Sequence, residues 1–238
     1  MQTDSRTSIQ PESAQLLALA NQARAAAGAG PLKWDEALAV AARKHCQRMV
    51  DAGPVAHQYP DELGLAERAG LAGAHFDLIE ENVAIGNSAE QIQDAWMHSP
   101  GHRQNMLNPG VNRVGIAVIA SRGVLYATAD YAHGVQALSQ EQVEQHIAAL
   151  IAPSGVKMLP NPALAREACT MENGYPRSKG GVPPAFVMRW QNSDLNHLPK
   201  ELVDQLASGH YRYAAVGSCD PNNVDGTFTA YRIAVMLY

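Results

Sequence analysis

Apolar residues recur at helical spacing through the N-terminal part of the chain. The spacing predicts a helix over residues 11–27, with Ser13 as its cap, and a second helix over residues 36–51, with Asp35 as its cap. Glycine and proline directly after each run are expected to end the helices. The two apolar faces comprise Leu16, Leu17, Ala20, Ala23 and Ala27 in the first helix and Leu38, Ala41, Ala42, His45 and Met49 in the second.

Between residues 55 and 133 the long helical runs give way to loops, shorter helices and strand-like runs. Residues 55–80 are predicted to be mostly loop. Beyond them, Ser88 is typical of a helix start, and two apolar runs on either side of Ser121-Arg122-Gly123 predict a hairpin. Helices combined with antiparallel strands indicate the α+β class. The elements predicted here are a short helix near residues 62–69, a helix over 89–98, a helical turn over 103–107, and strands over 113–120 and 124–131.

The rest of the chain repeats this mixture, so we predict two domains, residues 12–133 and residues 134–238. Pro160-Asn-Pro-Ala-Leu-Ala is similar to Trp34-Asp-Glu-Ala-Leu-Ala, and Ala215-Val-Gly is similar to Arg113-Val-Gly. Because matches this short arise by chance, a degenerate second copy and an unrelated α/β extension both stay open. The predicted elements are helices over 141–151, 163–171 and 198–208, strands over 185–190, 211–219 and 227–237, a glycine- and proline-rich loop over 175–184, and a turn over 220–226.

The composition of the chain argues against some classes of function. The 238 residues are 46% hydrophobic and 17% charged, with a formal net charge of −5 at pH 7. This balance argues against nucleic acid as the main partner, because nucleic-acid-binding surfaces are basic. No apolar run approaches the roughly 20 residues of a membrane span. The polar N-terminal residues lack the apolar stretch of a signal peptide, which fits either a cytosolic protein or the mature form of an exported one.

The three cysteines point to no metal site, because none of them forms a Cys-x-x-Cys pair. Cys46 lies in the second helix and is expected to be buried and unpaired. In an oxidising compartment Cys169 and Cys219 can form a disulfide.

Four stretches before residue 134 carry residues that could do chemistry. They contain His57, the pair Glu81-Asn82, the run from Trp96 to Arg103, and Asn105. Each has an ordinary structural explanation when it is taken alone, and spacing does not show that the side chains meet.

Together and in this order the stretches resemble the CAP superfamily, which comprises the cysteine-rich secretory proteins, antigen 5 and the pathogenesis-related 1 proteins. The resemblance covers about residues 12–133 and is greatest to bacterial SCP-like extracellular proteins. The residues that carry it are Glu81-Asn-Val-Ala, Ala95-Trp-Met-His-Ser-Pro-Gly-His-Arg-Gln-Asn-Met-Leu-Asn-Pro, Val114-Gly-Ile-Ala, Leu16-Leu-Ala-Leu-Ala-Asn-Gln-Ala-Arg, Leu32-Lys-Trp-Asp-Glu-Ala-Leu and Glu67-Arg68.

The resemblance implies a three-layer α-β-α sandwich with a cleft that bears two histidines and two acidic residues. Carried over to this chain, three of the four positions match: His57, Glu81 and His102. The fourth, an acidic residue three places after the tryptophan in many members, is Ser99 here. A mechanism that needs two carboxylates at those positions is therefore in doubt.

Two imidazoles can bind a divalent ion such as zinc, with Glu81 as a third ligand or as the partner that orients one ring. The same groups can act without metal, with a histidine as general base. A Ser99–His102 hydrolase is disfavoured, since the sequence has no Gly-x-Ser-x-Gly motif.

From the resemblance we expect a secreted binding module for a divalent metal, a lipid or sterol, or a cell-envelope partner. The alternatives are a hydrolase of peptides or esters and a structural envelope protein whose cleft is vestigial.

Overall fold

The computed structural model describes residues 9–176, 182–220 and 229–238. These residues form two compact units, one before and one after the boundary between Gly134 and Val135.

The first unit is built around a four-stranded sheet in the order β1-β3-β4-β2. The short strand β1 runs parallel to β3, and the other neighbouring pairs are antiparallel. The elements are α1 (Pro11–Ala26), β1 (Lys33–Trp34), α2 (Glu36–Ala52), α3 (Leu65–Leu71), β2 (Phe76–Gly86), α4 (Ala89–His98), α5 (Pro100–Leu107), β3 (Arg113–Ser121) and β4 (Val124–Gly134).

Helices cover both faces of this sheet. On one face Leu16 of α1 and Trp96 of α4 pack in one apolar cluster with Tyr131 of β4. On the other face α2 packs closely on β3 and β4, with Met49 and Tyr126 in a second cluster. This layering follows from the alternation of side chains along β4, which sends neighbouring residues to opposite faces.

The helix starts illustrate what local sequence determines. Asp35 accepts a hydrogen bond from the Leu38 amide and Ser88 accepts one from the Gln91 amide, so both predicted caps are confirmed. The predicted cap at Ser13 is wrong, because α1 begins two residues earlier, at Pro11. Proline at the first helical position needs no amide partner, and Ser13 is instead buried inside the helix.

The main correction concerns residues 76–86, which were expected to lie partly in a loop and form the eleven-residue strand β2. The apolar pattern that would indicate a strand is interrupted by Glu80, Glu81 and Asn82. Their burial depends on hydrogen-bond partners from distant parts of the chain, which no local pattern contains. Strand β2 pairs with β4 along its length.

The second unit contains a second four-stranded sheet, in the order β5-β7-β8-β6. Its connectivity and strand directions repeat those of the first, with one parallel pair and two antiparallel pairs. The elements are α6 (Gln140–Ile151), β5 (Lys157–Met158), α7 (Ala163–Thr170), β6 (Phe186–Asn192), α8 (Lys200–Ala207), β7 (Tyr213–Cys219) and β8 (Tyr231–Leu237).

A close helix–strand approach occurs at matching places in the two units. A Cβ atom on Gly115 would lie 2.0 Å from the Ala39 nitrogen, and one on Gly217 would lie 2.1 Å from the Arg166 nitrogen. These contacts make Arg166 the counterpart of Ala39. The Val-Gly similarity therefore pairs residues at equivalent structural positions, Gly115 with Gly217. The Ala-Leu-Ala similarity is shifted by one residue, because it pairs Ala39 with Ala165 and not with Arg166.

The disulfide Cys169–Cys219 joins α7 to the end of β7, with 5.9 Å between the two Cα atoms. In that register the two cysteines take the places of Ala42 and Ala117, which belong to one apolar cluster in the first unit. Cys46 is a free, buried cysteine.

The α+β fold class is confirmed, with a second sheet in the C-terminal part. Three predictions fall partly on residues 177–181 and 221–228, outside the described residues: the loop over 175–184, the turn over 220–226 and the strand over 227–237. Among the helices that the structure describes, none combines the length and the apolar character needed to cross a membrane.

Candidate functional site

The Glu81 carboxylate is the centre of a polar cluster in the first unit. Its side chain is 3% exposed, and it lies on β2 where that strand pairs with β4. One oxygen, Oε2, accepts a hydrogen bond from the Arg68 guanidinium of α3. His45 Nε2 lies 3.8 Å from the same oxygen. A buried carboxylate needs such partners, since an unpaired charge away from water is costly.

The other oxygen of Glu81 holds His57. The distance from Glu81 Oε1 to His57 Nδ1 is 2.9 Å, and the His57 side chain is 56% exposed. Arg68 also donates to the carbonyl of His57, at 3.4 Å, and to that of Leu63, at 3.1 Å. The loop that carries His57 is therefore fixed by the same guanidinium that pairs with Glu81. Nε2 lies on the far side of the imidazole from the bond to Glu81.

His102 reaches the site from α5. Its carbonyl accepts a hydrogen bond from the Asn82 side chain at 2.8 Å, and Asn105 donates to the Glu81 carbonyl at 3.0 Å. These two amides attach α5 to β2 beside the carboxylate. The His57 and His102 rings lie 5.7 Å apart between centroids and are tilted by 52°. The fold thus brings together the three residues that the resemblance selected.

The two imidazoles have pKa values shifted in opposite directions. The hydrogen bond to Glu81 raises the pKa of His57. Burial lowers the pKa of His102, and the neighbouring His57 lowers it further. The pair therefore favours one protonated and one neutral ring at a pH between the two values.

We expect the two histidines to titrate separately in NMR spectra of their ring nitrogens. Glu81→Gln should lower the pKa of His57, because the amide removes the negative charge that favours imidazolium. Titration of His57 below His102 in the wild-type protein would contradict this assignment of the hydrogen bond.

Ser99 lies between α4 and α5, directly before Pro100. Two other carboxyl groups lie near Glu81: Glu62, which pairs with His45, and Asp130 of β4, which is directly opposite Glu81 in the strand register and fully buried. Sequence reasoning missed this residue. The available signal was a single charged residue within the otherwise uncharged run 125–132.

His45 lies on the buried face of α2, as predicted. Its Nδ1 atom is 2.7 Å from Glu62 Oε1, and its Nε2 atom is 2.9 Å from the Ala56 carbonyl. Both ring nitrogens are thus engaged, and the residue supports the loop between α2 and α3. Cys46 is also excluded as a reactive group, because burial raises the pKa of its thiol to about 12.

In the described part of the site, the imidazoles that lie close together are those of His57 and His102. Among the residues that the structure describes, no three His, Cys, Asp or Glu side chains are grouped so as to hold a metal ion. Both oxygens of Glu81 accept hydrogen bonds, from His57 and Arg68.

The second unit keeps the framework of the site and lacks its residues. Gly115 pairs with Asp130, and its counterpart Gly217 pairs with Ala234. Opposite Ala234 on β6 stands Arg189, at the place that Glu81 has on β2. A cationic side chain thus occupies the position of the central carboxylate.

Residues 17–131 match the CAP family, described as the cysteine-rich secretory protein family. Among curated relatives, the uncharacterised protein YkwD of Bacillus subtilis is 31% identical over 123 residues, which cover 51% of this chain and 48% of YkwD. The membrane protein YlbC of the same organism is 28% identical over 105 residues, which cover 44% of this chain and 30% of YlbC. The chain therefore spans half or less of these relatives.

Among solved structures, an extracellular protein with an SCP domain from Bacillus anthracis is 24% identical, with a TM-score of 0.48 over 52% of this chain and 44% of that one. NaASP2, crystallised with Zn²⁺, is 15% identical, with a TM-score of 0.40 over 54% of this chain and 83% of that one. Both TM-scores lie below 0.5, so the assignment rests on the sequence match. Residues 17–131 of this chain, which include His57, Glu81 and His102, belong to the CAP superfamily.

Proposed function

We propose that the first unit binds a divalent metal ion such as zinc through His57 and His102, and that the protein is a binding module outside the cytoplasm. The observation that carries the proposal is the close approach of the two rings, 5.7 Å between centroids, at a half-exposed position. Two Zn–N bonds of about 2.0–2.1 Å, together with the two ring radii, span at most about 6.4 Å between centroids. The rings are thus close enough to share one ion.

Glu81 is proposed to support the ion indirectly. A metal-binding histidine usually donates its other N–H to a carboxylate, which fixes the tautomer and the orientation of the ring. His57 makes such a bond to Glu81 through Nδ1, at 2.9 Å. With two protein ligands, the remaining coordination positions would be open to water or to a polar group of a partner molecule.

An oxidising environment is supported by the disulfide Cys169–Cys219. Such bonds persist in extracytoplasmic compartments and are rare in the reducing cytosol. The alternative of a His57–Glu81 general base in a hydrolase uses the same hydrogen bond. It predicts turnover of a peptide or ester without added metal, which the binding proposal does not.

The decisive experiment is a calorimetric zinc titration of the metal-free chain. We expect one ion per chain, and we expect His57→Ala and His102→Ala each to remove most of the binding, because one imidazole is a weak site. Affinity should rise with pH through the pKa of His57, since metal must displace its proton. His98→Ala is the matched control, because His98 is exposed on the same unit.

Equal heats for the wild-type protein and the His57→Ala and His102→Ala variants would exclude the proposed site. Ligand screening would then turn to lipids and envelope proteins. Circular dichroism of each variant checks that the fold is intact. Loss of binding without loss of structure assigns the ion to the two rings.

A further inference from the structure

Asp130 is a buried acid whose role the proposed metal site does not explain. It lies on β4, is 0% exposed, and stands opposite Glu81 in the register of β2 and β4. Residues opposite each other on neighbouring strands extend to the same side of the sheet. Within the described part of the chain, no backbone or side-chain donor bonds to either carboxyl oxygen of Asp130, and the Glu81 carboxylate is the acceptor within hydrogen-bonding reach of it. A buried carboxylate in that state is very unfavourable.

The charges around Asp130 make a second buried anion costly. Glu81 faces it from β2, Arg68 from α3 and Glu62 from the loop before α3. His45 of α2 lies 2.7 Å from a Glu62 oxygen and 3.8 Å from a Glu81 oxygen. Only one of these groups, Arg68, is permanently cationic, and it already pairs with Glu81.

Burial is the largest of the influences that raise the pKa of Asp130 well above its usual range, and the Glu81 charge raises it further. A neutral carboxylic acid differs from a carboxylate in carrying an O–H donor. The neighbouring anion in the cluster, and hence the natural acceptor for that donor, is Glu81.

We propose that Asp130 is the second acidic group of the cleft, that it carries a proton which it shares with Glu81, and that it thereby positions the Glu81 carboxylate for His57. The positioning part rests on the proposed metal site, because it acts through His57. The Glu81 carboxylate would then receive hydrogen bonds from three sides, from His57, Arg68 and Asp130. Two adjacent carboxyl groups that share one proton form a known and stable pair.

The second unit supports a link between Glu81 and Asp130. The counterpart of Glu81 is Arg189 and the counterpart of Asp130 is Ala234, so both acids are replaced there together. Ala234 is buried and packs in an apolar cluster. The strand framework thus does not itself require an acid at this position, and the acid accompanies Glu81.

The test is carbon NMR of aspartate carboxyl groups in the metal-free chain, followed from acid to neutral pH. One resonance, absent from Asp130→Asn, should keep the position of a protonated acid after the resonance of Asp61 has moved to that of a carboxylate. Asp61 is the internal reference, because its side chain is 71% exposed and its hydrogen bond with Arg48 lowers its pKa. An Asp130 resonance that moves together with that of Asp61 would overturn the proposal, whether or not zinc binds.

Zinc affinity tests the positioning part. Asp130→Asn keeps a donor towards Glu81 and should bind zinc within about twofold of the wild-type chain. Asp130→Ala removes the donor and should bind several-fold more weakly, since partners behind metal ligands are worth about 10–100-fold when lost entirely. Equal affinity of Asp130→Ala and wild type would refute the positioning. A protonated Asp130 in a chain that binds no zinc would refute the metal site and leave the shared proton standing.

Discussion

Gly115→Ala is expected to unfold the first unit. The new Cβ atom would lie 2.0 Å from the Ala39 nitrogen and 2.2 Å from the Leu38 carbonyl carbon, so α2 would have to move away from β3. Those atoms are backbone and cannot rotate aside. We expect a loss of about 4–5 kcal/mol or more in the free energy of unfolding. That is most of the stability of a typical domain. Denaturant unfolding followed by circular dichroism measures it.

Two further alanine variants make the result specific. Gly30→Ala is the control, because no atom lies within 4 Å of the added Cβ, and it should change stability by less than about 1 kcal/mol. Gly217→Ala should damage the second unit in the same way, since its Cβ would lie 2.1 Å from the Arg166 nitrogen. Tolerance of alanine at both Gly115 and Gly217 would show that the close helix–strand approach is not required in either unit.

Arg68→Met should be the most damaging change at the polar cluster. It leaves the buried Glu81 carboxylate without its cation and removes the bonds to the Leu63 and His57 carbonyls. Removal of one partner of a buried ion pair costs about 3–5 kcal/mol. The loop that holds His57 also loses its anchor, so we expect weaker zinc binding in whatever fraction stays folded.

The matched control is Arg48→Met. Arg48 pairs with Asp61 at 2.7 Å, with side chains 34% and 71% exposed. Exposed pairs contribute about 0–1 kcal/mol. If Arg68→Met lowers the free energy of unfolding as little as Arg48→Met does, the buried charge of Glu81 has little effect on stability. The hydrogen bonds around Glu81 would then not be what holds the cleft together.

The sequence predicted most elements to within a few residues because their signals are local. Helix α2 carries its cap at Asp35 and a periodic apolar face. The hairpin of β3 and β4 has two apolar runs and a short turn, and its strands begin where expected, at Arg113 and Val124. In each case the residues that specify the element lie within it.

Strand β2 shows the opposite situation. Its polar residues Glu81 and Asn82 are stable in the interior because Arg68, His102 and Asn105 reach them from two helices. None of these contacts has a sequence spacing that local periodicity can report. The family resemblance nevertheless selected Glu81, because a family motif identifies the position of a residue. It does not describe the contacts around that residue.

By itself, the sequence determined the caps at Asp35 and Ser88, the hairpin and the α+β class, and the family resemblance selected His57, Glu81 and His102 as candidates. Only the tertiary structure decided that Glu81 is buried on a strand, that Asp130 lies opposite it, and that the second unit repeats the strand order of the first sheet without Glu81 and Asp130. The physical reason is that charge burial, strand register and helix–sheet approach depend on residues distant in sequence. Caps and apolar periodicity, by contrast, act within a few residues.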